Sequence, residues 1–124
     1  MSKRILVIED QEDNRRIVRD LLTSVGYETI EAVTGEDGVQ AAATHVPDLI
    51  LMDIQLPGLD GYDATRRIKS NPALQHIPII AVTSYALSGD DVKAFEAGCN
   101  GYVSKPFSPR ALLAKIREFL QDAG

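Results

Sequence analysis

Two short stretches of the chain are apolar without a break, Ile5-Leu6-Val7-Ile8 and Leu49-Ile50-Leu51-Met52, and Ile77-Pro78-Ile79-Ile80-Ala81-Val82 is nearly so. Runs of this length between turn-forming residues suit strands covered on both faces, the habit of central strands in a parallel sheet. Between them the spacing becomes helical. From Asp13 onward, Ile17, Leu21 and Val25 fall four apart with Val18 and Leu22 beside them, which predicts a helix closed by Gly26. Tyr27 to Val33 alternates loosely, as a half-exposed strand does, and Thr34-Gly35 ends it. Glu36 to His45 is alanine-rich and reads as a helix with Val39 and Ala43 inward. Asp60 to Ser70 predicts a third helix that buries Ala64 and Ile68 and stops at Asn71-Pro72. Ser88-Gly89-Asp90-Asp91 precedes a short helix over Val92 to Ala97, closed by Gly98. Gly101 to Ser104 gives a short fifth strand running into Lys105-Pro106. Ser108, with Pro109 at the first helical position, opens a last helix with Leu112, Leu113, Ile116, Phe119 and Leu120 inward.

Five strand–helix units with short connections imply an α/β protein, a parallel sheet with helices on both faces. Right-handed crossovers make a doubly wound sheet the natural arrangement. The expected strand order is 2-1-3-4-5, adopted as the five-stranded doubly wound option, since the strand pattern alone does not select it.

Composition narrows the partners. The 124 residues fit a single domain spanning 1–124, with no output domain expected after the last helix. A formal charge of −5 argues against nucleic acid or an anionic membrane as the main partner. Arg66, Arg67 and Lys69 cluster locally, as a solvated helix face would. The single cysteine, Cys99, rules out an internal disulfide framework and reads as a small core residue. No apolar run approaches the ~20 residues of a membrane helix. The N-terminus lacks a signal-peptide pattern, so a cytoplasmic location is expected.

The candidate chemistry lies at the strand ends. The first, third, fourth and fifth strands deliver Glu9-Asp10, Asp53, Thr83-Ser84 and Lys105 to one edge of the sheet, where ligands bind in open α/β folds. Singly, each has a plain alternative: Asp53 can open the Pro57-Gly58 turn, Glu9-Asp10 can favour a helix start, Thr83 can be a turn residue and Lys105 a solvated one. Jointly they are the parts of a phosphoryl-transfer site. Crowded carboxylates suit a hard divalent cation such as Mg²⁺. Lys105 offers a point charge for a phosphoryl oxygen, and Thr83 a hydroxyl donor.

These blocks resemble a known family. Ile5-Leu6-Val7-Ile8-Glu9-Asp10, the run from Asp48 to Gly61, Ile79-Ile80-Ala81-Val82-Thr83-Ser84 and Gly101-Tyr102-Val103-Ser104-Lys105-Pro106-Phe107 look like the receiver domain of two-component response regulators. Within that family the chain is most similar to single-domain receivers of the DivK and CheY type, with their flavodoxin-like sheet. The resemblance implies that Asp53 accepts a phosphoryl group from a phosphohistidine of a histidine kinase or histidine phosphotransferase. It implies Mg²⁺ ligated by Asp10, Asp53 and the backbone carbonyl of Gln55, with Glu9 acting through water. Lys105, Thr83 and the Ser84 backbone N–H would hold phosphoryl oxygens, and Tyr102 would be the aromatic switch. The Lys105-Pro106 bond would be cis. A downstream protein would read the face formed by the fourth helix, fifth strand and fifth helix, through which a homodimer can also form. Gln55 and Tyr85 stand where the family tunes the lifetime of the phosphoform, and a bulky Tyr85 would lengthen it. The protein would promote its own phosphorylation and dephosphorylation without being a turnover enzyme.

Three rival readings differ in chemistry. A phosphatase of the haloacid-dehalogenase kind needs a second Asp two residues after the nucleophile, where this chain has Gln55. An FMN binder needs a phosphate-cradling loop after the first strand, where this chain has Glu9-Asp10-Gln11-Glu12-Asp13. A scaffold of receiver fold that is never phosphorylated has no need of the full residue set.

Overall fold

In the computed structural model, residues 3–83 and 90–120 are described. The elements alternate: β1 (Arg4–Ile8), α1 (Glu12–Ser24), β2 (Glu28–Ala32), α2 (Gly35–His45), β3 (Leu49–Asp53), α3 (Gly61–Lys69), β4 (Ile79–Thr83), α4 (Asp90–Ala97), β5 (Gly101–Ser104) and α5 (Pro109–Leu120). The strands form one five-stranded parallel sheet in the order β2-β1-β3-β4-β5, the expected doubly wound arrangement.

Unbroken apolar strands bury both faces, and the residues sort by parity as strand geometry requires. Leu6, Ile8, Ile50, Met52, Ile79 and Ala81 pack with Ala42 of α2, Ala64 and Ile68 of α3, and Ala94 of α4. Ile5, Val7, Leu49, Leu51 and Ile80 pack on the other side with Val18 and Leu22 of α1 and Leu112 and Ile116 of α5. β3 and β4 are buried at every position, whereas the edge strand β2 is buried only at Ala32.

Local chemistry sets the ends. Thr34 and Asp60 cap α2 and α3 by accepting from the N–H groups of Asp37 and Asp63. Gly26 and Gly98 leave α1 and α4 at φ +94° and +113°, the left-handed conformation that glycine accepts.

Several expectations shift. α1 begins at Glu12, α2 at Gly35 and α4 at Asp90, each earlier than the apolar spacing marks. β4 begins at Ile79 rather than Ile77, because Pro78 has no N–H to donate and Ile77 N–H is taken by Leu74 in the preceding turn. The inward stripe of α1 runs through Val18 and Leu22, leaving Ile17 59% and Val25 40% exposed. In α2 Val39 packs against the core as expected, but the buried positions are Gly35, Gly38 and Ala42, and Ala43 is exposed. Gly38 explains this: a Cβ there would lie 2.5 Å from Ile8 Cδ1, so the helix lies too close to β1 for a larger side chain. Ser84, Tyr85 and Ser88-Gly89 lie outside the described residues.

Candidate functional site

The sheet register brings the polar strand ends together. Ile8 pairs with Met52, so the next residues along the two strands, Glu9 and Asp53, stand side by side. Asp53 pairs with Val82, and Thr83 follows it one step on. Lys105 is tied to that row by its own N–H, which donates to the Thr83 carbonyl at 2.7 Å.

At that edge Glu9, Asp10 and Asp53 each place one carboxylate oxygen within 4.8 Å of the others. Glu9 and Asp53 are buried and Asp10 is half-buried. The Lys105 ammonium lies 2.8 Å from Glu9 Oε1 and 3.8 Å from Asp53 Oδ2. The other oxygens are also engaged: Gln11 N–H donates to Glu9 Oε2 at 3.2 Å and Gln55 N–H to Asp53 Oδ1 at 3.0 Å. Burial, first, and the adjoining Asp53 carboxylate push the Glu9 pKa above its ordinary value, and the Lys105 and Gln11 donors only partly oppose the rise. Three carboxylates thus face one ammonium, a donor set of hard oxygens short of positive charge. That is what a divalent cation such as Mg²⁺ satisfies.

The phosphoacceptor candidate is also fixed from behind. Gly61, at the start of α3, donates its N–H to the Ile54 carbonyl at 3.1 Å. A Cβ at Gly61 would fall 2.4 Å from the Asp53 carbonyl oxygen and 2.6 Å from Ile54 Cα. Only glycine lets α3 approach the end of β3 so closely. A cavity of about 60 Å³ reaches the cluster from the α1 and α5 side, lined by Glu9, Asp53 and Lys105 together with Asn14, Ile17 and Phe107.

The family model for the response regulator receiver domain matches residues 5–117. The chain belongs to the receiver domain family. It is 43% identical to the polar-differentiation response regulator DivK of Brucella ovis over 123 residues, 99% of this chain and 100% of that protein. Among solved structures it is similar to the receiver domain of a sensor histidine kinase from Pseudomonas aeruginosa, at 36% identity and a TM-score of 0.91, covering 98% of this chain and 100% of that one. That structure holds a magnesium ion coordinated in the active site cleft. A CheY-like response regulator receiver domain protein of Methanospirillum hungatei is 32% identical with a TM-score of 0.89, covering 98% and 96% of the two chains.

In this receiver domain, Glu9, Asp10, Asp53, Thr83 and Lys105 meet at one sheet edge. Thr83 is buried at the end of β4. Gln55 follows Asp53 closely enough for its N–H to bond that carboxylate, and the Lys105-Pro106 bond is cis. Tyr102, opposite Ala81 in β5, is half-buried against the α2, α3 and α4 side of the core. Ser84 and Tyr85 lie outside the described residues. Cys99 is buried beside Thr65, with Sγ 3.7 Å from Thr65 Oγ1, and burial pushes its thiol pKa up. Lys69 is not part of a solvated face: its Nζ donates to the carbonyls of Gln75 and Ile77 at 3.1 and 2.7 Å. Pattern reading quoted Gly61 only as the end of the Asp48 to Gly61 block, after the helix-capping Asp60, and gave it no role; it missed Arg15, whose Nη1 donates to the Glu9 carbonyl at 3.0 Å.

Proposed function

We propose that this receiver domain accepts a phosphoryl group on Asp53 from a phosphohistidine of a histidine kinase or histidine phosphotransferase, in a Mg²⁺-dependent reaction. The observation that carries this reading is the gathering of Glu9, Asp10 and Asp53 within 4.8 Å, with Lys105 3.8 Å from the Asp53 carboxylate. An Asp53 carboxylate oxygen forms a bond to phosphorus while the phosphorus–nitrogen bond breaks, and the electron pair leaves with the imidazole. Asp10, Asp53 and the Gln55 carbonyl would hold Mg²⁺, with Glu9 acting through water. Bound there, Mg²⁺ supplies positive charge against the crowded carboxylates and the transferred group. Hydrolysis reverses the state, as water attacks phosphorus and the carboxylate departs.

Lys105 is the residue that must choose. It now bonds Glu9, and phosphorylation puts about two negative charges on Asp53, which draws the ammonium across. The Thr83 hydroxyl and the Ser84 N–H would bond the remaining phosphoryl oxygens, and Tyr102 would turn inward as Thr83 is drawn away. That biases a bistable face made of α4, β5 and α5. Val92 and Phe95 of α4, 52% and 50% exposed, give it apolar anchors for a downstream protein or a second copy of the chain. The full-length correspondence with the Brucella protein supports a single-domain regulator that signals through partner proteins. No helix among the described residues is long and apolar enough to cross a membrane.

The test is transfer of radiolabelled phosphate from a panel of phosphorylated histidine kinases, with Mg²⁺ or with excess chelator. Labelling that requires Mg²⁺ and vanishes in Asp53→Asn supports the reading. Equal labelling of Asp53→Asn, or no labelling from any donor, contradicts it.

A further inference from the structure

Arg15 of α1 joins the acidic cluster to the edge strand. Its Nη1 donates to the Glu9 carbonyl at 3.0 Å, and its Nε donates to Glu31 Oε1 of β2, also at 3.0 Å. The Arg15 side chain is only 16% exposed and that of Glu31 29%. Glu31 is held on its other oxygen by Arg19 Nη1 at 3.4 Å. The guanidinium is therefore pinned from two sides, by a strand carboxylate and by the backbone of the loop that carries Glu9 and Asp10.

That loop has little slack. Glu9 to Gln11 are all that separate β1 from α1. Glu9 N–H donates to Ala32 O at 3.1 Å and Arg15 N–H to Gln11 O at 2.9 Å. The Glu9 carbonyl belongs to the same rigid peptide plane as the Asp10 nitrogen. Holding that oxygen with a charged donor, stronger than a neutral one, fixes where the Asp10 Cα sits and so the point from which its carboxylate reaches the cluster. Glu31 matters electrostatically as well. It neutralises the guanidinium, so Arg15 orients the loop without adding net positive charge that would repel a cation.

We propose that Arg15, locked by Glu31, is a positioning residue that sets the geometry of the Asp10 side of the cluster and so its preference for Mg²⁺ over Ca²⁺. This rests on the reading of Glu9, Asp10 and Asp53 as a Mg²⁺ site. Mg²⁺ demands a near-ideal octahedron at short oxygen distances, whereas Ca²⁺ accepts longer and more variable coordination. A carboxylate that has lost its orientation therefore weakens Mg²⁺ binding more than Ca²⁺ binding.

The test is calorimetric titration of the full chain with MgCl₂ and with CaCl₂, for the wild type, Arg15→Met, Arg15→Lys and Glu31→Ala. Arg15→Met is expected to weaken Mg²⁺ binding about tenfold and Ca²⁺ binding about twofold, lowering the ratio about fivefold. Glu31→Ala, on the edge strand, shifts the ratio the same way by less, and Arg15→Lys, which keeps one donor, recovers part of the loss. A Mg²⁺ to Ca²⁺ ratio unchanged in Glu31→Ala and in folded Arg15→Met overturns the proposal, whether both affinities hold or fall together. If Arg15→Met does not fold, Glu31→Ala alone decides. A wild type that binds no Mg²⁺ overturns the metal reading itself; one that binds it with a ratio insensitive to both variants overturns only the role of Arg15.

Discussion

The Lys105 ammonium is bonded to Glu9 at 2.8 Å and stands 3.8 Å from the Asp53 carboxylate. In this state the cation of the site is committed to Glu9 and merely near the proposed phosphoacceptor. Arrival of a phosphoryl group on Asp53 would reverse the balance, because a doubly charged group attracts the ammonium more strongly than a single carboxylate does. Lys105→Met removes that donor and is expected to slow phosphotransfer to Asp53 on the order of 10²-fold. Stopped-time phosphotransfer at fixed donor concentration measures it.

Glu9 carries a pH signature. Its pKa is raised from 4.5 in the folded protein, chiefly by burial and the adjoining Asp53, so the native state binds this proton more tightly than the unfolded chain does. The stability this provides is full below the unfolded value and is lost as pH rises through the raised one. In metal-free protein, urea midpoints should therefore show a Glu9-linked fall as pH climbs through that interval. Glu9→Gln cannot titrate and should lose that component, which a pH series of unfolding curves on both proteins checks.

Divalent metal should offset the same crowding. A cation that binds only the folded cluster stabilises by RT ln(1 + [L]/Kd), about 2.7 kcal/mol at one hundred times Kd. Melting temperature should rise with MgCl₂ in the wild type. The rise should disappear in Asp10→Asn, whose neutral amide is a poorer ligand.

Gly61→Ala tests the backing of Asp53. The added methyl would sit 2.4 Å from the Asp53 carbonyl oxygen, backbone that cannot rotate away. Overpacking of this kind costs about 1–3 kcal/mol. The expected result is a lower urea midpoint together with slower phosphotransfer, since the chain at Asp53 must shift to make room.

Most of the fold was legible because the apolar runs of β1, β3 and β4 have no other sensible reading and the β–α alternation leaves few topologies. The helix faces were less legible. The buried residues of α2 are Gly35, Gly38 and Ala42, all small; close approach to the Leu59 carbonyl requires glycine at 35 and close approach to Ile8 requires it at 38, and a hydrophobic stripe marks neither contact. In α1 the apolar positions run wider than the buried ones, so Ile17 reads as core although it faces outward beside the cavity at the cluster. The clustering of Glu9, Asp10, Asp53, Thr83 and Lys105 was legible because each lies at or just past a strand end and parallel strands end together. Arg15 was not, since a charged helix residue looks solvated until the fold brings the Glu9 carbonyl and Glu31 to it.

A backbone detail away from the site offers a separate check. Val46 closes α2 at φ +44°, a left-handed conformation in which a β-branched side chain is strained. Val46 is 45% exposed, so its side chain contributes little core. Val46→Asn should stabilise the fold by about 1 kcal/mol, read as a higher urea midpoint with no change in phosphotransfer.

Asp53 is the proposed carrier of the phosphoryl group, and its chemistry can be trapped directly. Reduction of the phosphorylated protein with borohydride converts an aspartyl phosphate to homoserine, and peptide mass mapping locates the converted residue. Homoserine is expected at position 53, dependent on donor and Mg²⁺. Conversion at Glu9 or Asp10 instead, or a phosphorylated protein in which position 53 stays unmodified, would contradict the Asp53 assignment.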